Sequence, residues 1–305
     1  MNRFERSWLL FRSSLLVIAR NKELLIFPIF ITLASAVILL FFAAPVAFWP
    51  TGHPVLSAEH WRTLGHTFFA KNPNMSGGHQ YTYSPVGIAY VVFLYFVSMF
   101  VATFFNVAFY NEILAALSGQ PVSLARGLQF AASRWKAILM WSLFAGLIGL
   151  IIRVIEERSD IIGRIVMGLI GLAWSIASVF VIPVIVRDPE TDNPVKILKK
   201  SAETLRNAWG EGLIGYIGIG AINTLVALAS FLLIAGAATI SAKLNNFWLL
   251  GLTIAGWVVF MFIWSYLMNV ASLVYKGALY MYAAEGVVTE PYDQQMLDSA
   301  WKFRR

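Results

Sequence analysis

Four histidines, His53, His60, His66 and His79, fall in one polar stretch between two long apolar runs. Imidazole changes charge near neutral pH and is a common metal ligand, so the cluster raises the question of a metal or proton sensor. Two imidazoles on one ion commonly sit at i, i+4 on a helix, and no pair here has that spacing. His53 and His60, and likewise Glu59 and His66, are seven apart and could share a helix face. A solvated loop collecting the polar residues that the apolar runs exclude accounts for them equally well. The turn Asp188-Pro-Glu-Thr-Asp192-Asn alternates acids as a calcium loop begins, but it lacks the glycine and the distal bidentate glutamate, so a turn leading into a helix cap is expected. There is no G-x-S-x-G elbow, H-E-x-x-H, P-loop or glycine-rich dinucleotide fingerprint, and no cysteine for thiol or iron–sulfur chemistry. The sequence predicts no catalytic site, no metal site and no cofactor.

The remaining polar chemistry lies inside the apolar runs, where each such group needs a partner. It consists of amides and hydroxyls: Ser98, Thr103 and Asn106, then Asn223 and Thr224, then Ser265 and Asn269. Side chains of this kind can line a neutral pore, or they can hydrogen-bond between helices at about 0.6 kcal/mol each. Glu112, after Asn111 near the end of its run, is the one acid placed for a pore mouth, although a helix-end charge reaching water explains it too. No Asp, Glu, Lys or Arg sits near the middle of any run, which argues against a proton relay, a buried coupling pair or a voltage sensor.

The elements that carry these residues follow from composition. Of 305 residues 59% are hydrophobic and 13% charged, whereas a soluble domain has about 45 to 50% and 25%. The apolar runs are Leu24 to Trp49, Val86 to Leu117, Ala137 to Ile155, Ile161 to Val186, Leu213 to Ile240 and Phe247 to Ala283. Each is long enough for a bilayer core, which takes about 20 residues of helix. The first is read as an uncleaved span. Lys and Arg in the intervening segments number five (1–23), three (111–136), five (187–212) and four (276–305), against six on the opposite side. That asymmetry places both termini in the cytoplasm. The net charge of +7 is spread beside the spans, so anionic lipid headgroups rather than nucleic acid are the expected counter-charge.

Each odd-numbered span is preceded by an amphipathic segment. From Pro194 the apolar positions are Val195, Leu198, Ala202, Leu205 and Trp209, with Lys196, Lys199, Lys200, Glu203 and Arg206 facing away and Asn193 as cap. From Pro121 the face is Leu124, Leu128, Ala131 and Trp135, with Arg126, Gln129, Ser133 and Lys136 elsewhere. Near the N-terminus it is Phe4, Trp8, Phe11, Leu15 and Ile18, opposite Arg6, Ser13 and Arg20. Pro121-Val-Ser-Leu-Ala-Arg126 also matches Pro194-Val-Lys-Ile-Leu-Lys199, and a truncated fourth start is expected at Pro291-Tyr-Asp, leading to Met296, Leu297 and Trp301. The expected fold is an all-α membrane protein with six transmembrane helices, in three repeats of cytoplasmic amphipathic helix plus transmembrane hairpin. The repeats span residues 1–117, 118–190 and 191–283 of a single transmembrane domain, and 284–305 form a cytoplasmic tail helix. Arg6, Arg20, Arg126, Lys136, Lys196, Lys199, Lys200 and Arg206 are expected to contact lipid, whether for sensing or as passive anchors. Ser142 with Gly146, Ala145 with Gly149, Gly251 with Ala255, and the glycines from Gly212 to Gly220 are spaced for close helix contact, and Pro28, Pro45 and Pro183 for bends.

Ser7-Trp-Leu-Leu-Phe11 leading to Lys22-Glu-Leu-Leu-Ile-Phe-Pro28, the run Ile155-Glu-Glu-Arg158 to Leu172-Ala-Trp174, and Trp209-Gly-Glu211 carry a resemblance. The chain resembles, over nearly its whole length, a family of bacterial six-span membrane proteins known only as a domain of unknown function. The resemblance implies this architecture and a bacterial inner-membrane location, and it brings no site residues. Two functions are expected from spans, short loops and amides at depth. One is a homo-oligomeric channel or passive permease with a neutral polar pore. The other is a non-transporting scaffold or envelope-maintenance protein that binds anionic lipid or a protein partner.

Overall fold

The computed structural model describes the backbone of residues 3–71, 81–207 and 212–293, and the side chains of 8–69, 83–206 and 224–293. His79, Trp209 to Glu211, Met296, Leu297, Trp301 and the side chains of Phe4, Arg6 and Asn223 lie outside the described residues. Eleven α-helices are described: α1 Arg3–Arg20, α2 Ile26–Ala47, α3 Ala58–Phe68, α4 Pro85–Leu117, α5 Leu124–Ser133, α6 Trp135–Arg158, α7 Ile161–Ala177, α8 Val181–Arg187, α9 Pro194–Asn207, α10 Gly212–Lys243 and α11 Phe247–Tyr280. Two short strands, β1 Phe69–Lys71 and β2 Tyr81–Tyr83, pair antiparallel between α3 and α4, the one β element in the described chain. Six helices are long and apolar enough to cross a membrane. The first is extended by a 3₁₀ turn at Lys22–Leu25, and the fourth is α7 and α8 taken together.

Local chemistry sets the helix starts. Ser57, Ser84, Ser123, Asp160, Asn193 and Asn246 each accept a bond from a backbone N–H of the first helical turn that would otherwise be orphaned. Aromatic ladders align the spans. Phe27 stacks on Phe109, Phe30 meets Phe105 edge-on and Phe42 meets Phe93, so α2 runs antiparallel along α4. On the other flank of α4 the small residues of α6 allow the close approach expected of them. Ser142 Oγ donates to Ile138 O at 2.7 Å and lies 3.3 Å from Met99 O, while Gly146 sits under Phe96 and Gly149 under the Tyr95 hydroxyl. Trp141 and Trp174 stack at 5.9 Å to join α6 and α7, and Trp257 Nε1 donates to Ser230 Oγ at 3.0 Å to join α10 and α11. Gly251 has open space around it, so its expected helix contact is not made within the described chain.

These antiparallel pairings gather α1, α5, α9 and the end of α11 at one end of the bundle, hereafter the basic end. The core is concentrated there. Leu10, Phe11 and Val17 of α1, Val107, Phe109, Ile113 and Leu114 of α4, Val184 of α8, Ile197 of α9 and Val274, Tyr275 and Ala278 of α11 are buried together. Towards the far end the spans expose their apolar side chains, among them Leu33, Phe41, Leu169, Leu232, Trp248 and Phe262. For a multi-pass membrane protein lipid is the solvent there, so burial against neighbours is not required.

Candidate functional site

At the basic end Glu112 is fully buried near the last turn of α4. Its Oε1 accepts from Arg126 Nε at 3.0 Å and Asn111 Nδ2 at 2.9 Å, and its Oε2 from Arg126 Nη2 at 2.5 Å and Ser123 N at 2.7 Å. A carboxylate taken out of water needs this degree of satisfaction. Its bond to Arg126 is the main cause holding that guanidinium above its ordinary pKa, against the opposing pull of burial. Gly127 lets α5 lie this close, since a Cβ there would stand 2.8 Å from Ala108 O and 3.0 Å from Glu112 Cγ. Glu112 therefore ties α5 to α4 and does not reach water in this chain.

A buried cation does the equivalent work for the turn leading into α9. Arg134, between α5 and α6, donates to Ile185 O at 3.3 Å, Asp188 O at 2.8 Å and Thr191 O at 3.2 Å, and also to Pro189 O. It lies 3.7 Å from Asp192 Oδ1 as well. The acidic turn is thus wrapped around an arginine. Asp188 pairs with Lys200 at 2.9 Å, and Asn193 caps α9 through bonds of 3.0 and 3.2 Å to Val195 N and Lys196 N, as the cap reading expects.

The fourth span is interrupted at 178–180, just ahead of Pro183, whose ring cannot be accommodated against the carbonyl four residues earlier. Ser201 of α9 fills the break: its hydroxyl donates to Ala177 O at 2.6 Å and accepts Phe180 N–H at 3.0 Å. The expected bend at Pro183 is present as this break. At the other flank the segment after α11 folds back on α1, where Ser14 Oγ and the Tyr292 hydroxyl lie 2.8 Å apart and are buried. Burial is the main cause that pushes the Tyr292 phenol well above its ordinary pKa.

The expected faces meet the core in large part, through Phe11, Leu15 and Ile18 of α1, Leu124, Leu128 and Ala131 of α5, and Leu198 and Leu205 of α9, while three apolar members stand at the rim. In α9 Ile197, Ser201, Thr204 and Leu205 are buried, and Val195 is left 58% exposed beside Lys196 and Lys199. In α1 Ser13 and Ser14 face inward and Trp8 is 48% exposed. Trp135, at the start of α6, is 49% exposed with Lys136 Nζ 6.0 Å over its ring. In α9 and α1 a hydroxyl that meets a backbone break or a buried phenol takes an inward position beside the apolar stripe.

Of the residues expected to contact lipid, Arg20, Lys136, Lys196, Lys199 and Arg206 are exposed at the basic end, while Arg126 and Lys200 are engaged with Glu112 and Asp188. Of the residues expected to line a pore, Ser98, Thr224, Ser265 and Asn269 are exposed. Thr103 and Asn106 bond back to their own helix at Met99 O and Ala102 O. At the far end His60 is buried, with Nε2 2.8 Å from Ala47 O and Nδ1 2.6 Å from Thr51 Oγ1, and it pins α3 to the end of α2. His53 and His66 are exposed. Among the described residues no group of three potential metal ligands comes together.

Arg134, Ser201, Ser14 and Tyr292 were not singled out by sequence reasoning. Ser201 and Ser14 carried a usable signal as hydroxyls flanked by apolar residues one turn away. Residues 86–290 match the profile described as a family of unknown function (DUF6159). No curated protein and no solved structure matches the chain.

Proposed function

We propose, on the premise that the chain belongs to the family of unknown function (DUF6159), that it is a non-transporting component of the bacterial inner membrane whose basic end binds anionic lipid on the cytoplasmic side. The supporting observation is the rim itself. Val195 stands exposed beside Lys196 and Lys199, Trp135 beside Lys136, and Trp8 and Leu16 beside Arg12 and Arg20. An apolar side chain flanked by long cationic ones suits the boundary between acyl chains and headgroups, where the stems stay dry and the charges reach phosphate. Each well-placed cation contributes about 1 kcal/mol on an anionic surface, screened by salt. No catalytic activity belongs to this reading.

The test is the lipid annulus of the reconstituted protein. Spin-labelled phosphatidylglycerol should be preferred over phosphatidylcholine at low salt, and Lys136→Glu, Lys196→Glu and Lys199→Glu together should abolish the preference. Unchanged selectivity in that triple variant would remove the basis for the proposal.

A second reading, the homo-oligomeric channel, is favoured by one observation: Ser98, Ser265 and Asn269 are exposed on membrane-spanning helices. Polar groups facing outward there gain a partner at an interface between copies or along a wet axis. Discrete conductance in a planar bilayer, re-tuned by Asn269→Leu, would establish it, and a silent bilayer would dismiss it.

A further inference from the structure

A cleft of about 290 Å³ opens between the end of α4, α5 and α8. Arg126 and Arg187 both line it, with Ser118 and Gln120 as neutral polar neighbours and Phe130 and Val186 as an apolar wall. Both guanidiniums are held in place from outside the cleft. Arg126 is fixed through Nε and Nη2 by Glu112 and the Pro121 carbonyl, which leaves Nη1, and Arg187 Nε lies 3.0 Å from Glu285 Oε1. A guanidinium carries five donors in a rigid fork, so one anchored by its Nε edge to a carboxylate retains donors to offer elsewhere.

The helix ends around this cleft would repel an anion if their carbonyls pointed into it unpaired. At α4 the carbonyls of Leu114, Ala115 and Ala116 accept from the backbone N–H groups of Ser118, Gly119 and Gln120. At α8 the carbonyls of Ile185 and Asp188 accept from Arg134. These carbonyls are therefore answered, and each arginine's charge is balanced by its own carboxylate while its remaining N–H donors stay available.

Depth identifies what the cleft can meet. Phe109 stacks on Phe27, which lies in the opening turn of the first apolar span, just past Lys22 and Glu23. Leu114, in the cleft wall, is five residues further along α4, or about 8 Å at 1.5 Å per residue. That is the level of the headgroup layer, which adds roughly 5 to 8 Å to each side of the hydrocarbon.

We propose that this cleft is a binding site for one phosphate group, that of an anionic phospholipid whose acyl chains leave along Phe130 and Val186. The proposal deepens the lipid-surface reading but differs from it in kind. That reading concerns a diffuse preference of exposed lysines, whereas this is one stoichiometric site formed by two arginines.

The full chain in neutral detergent is compared with Arg187→Gln and Glu285→Gln. Both variants break the same ion pair, so a merely structural role would affect them alike. Phosphatidylglycerol is expected to raise the thermal unfolding midpoint of the wild type and to remain as one bound lipid in native mass spectra. Diacylglycerol, which lacks phosphate, should do neither. Arg187→Gln should weaken retention about tenfold or more, as loss of a charged hydrogen-bond partner does, while Glu285→Gln retains the lipid. Retention unchanged in Arg187→Gln, or lost equally in both variants, would overturn the site. Stabilisation by inorganic phosphate with none from phosphatidylglycerol would overturn the lipid as its source. The variant Lys136→Glu, Lys196→Glu and Lys199→Glu should keep this single bound lipid, so the site and the diffuse surface can fail separately.

Discussion

Ser201 donates its hydroxyl to the carbonyl of Ala177 at 2.6 Å and thereby joins an amphipathic helix to the break in a membrane span. Breaking a span frees backbone groups that lipid cannot satisfy, so the interruption at 178–180 depends on what fills it. With Phe180 N–H also bonded to Ser201, α9 becomes part of the fourth span's structure as well as a surface element. Ser201→Ala should destabilise the chain by about 1 to 3 kcal/mol for each of the two backbone groups left without a partner. The thermal unfolding midpoint in detergent reports this, and a midpoint equal to that of the wild type would contradict it.

The Glu112–Arg126 pair should behave as a unit. Removing one partner of a buried pair costs about 3 to 5 kcal/mol, because the other is left uncompensated. Glu112 is fully buried and Arg126 is partly exposed, so Glu112→Gln should fall towards the lower end. The double variant Glu112→Gln with Arg126→Gln should cost clearly less than the two single changes added together. Additive costs would show that the two side chains act independently.

Glycine substitutions should separate the tight end of the bundle from the open one. Gly127→Ala drives a Cβ to 2.8 Å from the Ala108 carbonyl, a backbone atom that cannot swing aside, and overpacking of this kind costs about 1 to 3 kcal/mol. Gly251→Ala meets nothing within 4 Å. Expression and unfolding midpoint should therefore drop for the first and hold for the second in a monomeric preparation.

The docking of Tyr292 on α1 should weaken only in alkali. Burial raises the pKa of Tyr292 in the folded chain, whereas an unfolded tyrosine titrates near about 10. Its contribution to stability is thus fully present below that pH and is lost as pH rises towards the folded value. Comparing midpoints at neutral pH and at about pH 11, the wild type should lose more than Tyr292→Phe. Equal losses would place the ionisation elsewhere.

The spans were legible because each is a composition effect extended over many residues. The expected run Val86 to Leu117 and the helix Pro85–Leu117 differ by one residue, and Ile161 to Val186 is matched by Ile161–Arg187. What periodicity could not supply was which apolar member of each amphipathic segment stands at the rim and which hydroxyl faces inward. Val195 reads as an inward residue by its 3-and-4 spacing with Leu198, but the inward position is taken by Ser201, whose partner lies 24 residues away in sequence. Glu112 was legible as an unusual acid near a helix end. Its partner was not, because Arg126 looks like any other cation of an amphipathic segment until Gly127 brings α5 against α4. Arg134 was hidden for the same reason, since its ligands are mainly carbonyls and a carbonyl has no sequence signature.

On the proposed reading, the end of the bundle that carries α1, α5 and α9 faces the cytoplasm, and α3 and the α10–α11 turn face the other side. The chain contains no cysteine, so single thiols can be introduced at exposed positions and read without background. In intact cells a membrane-impermeant maleimide should label Glu59→Cys and Leu244→Cys and spare Arg12→Cys, Lys136→Cys and Lys196→Cys until the membrane is opened. Labelling of Lys196→Cys and Glu59→Cys from the same side would contradict the account.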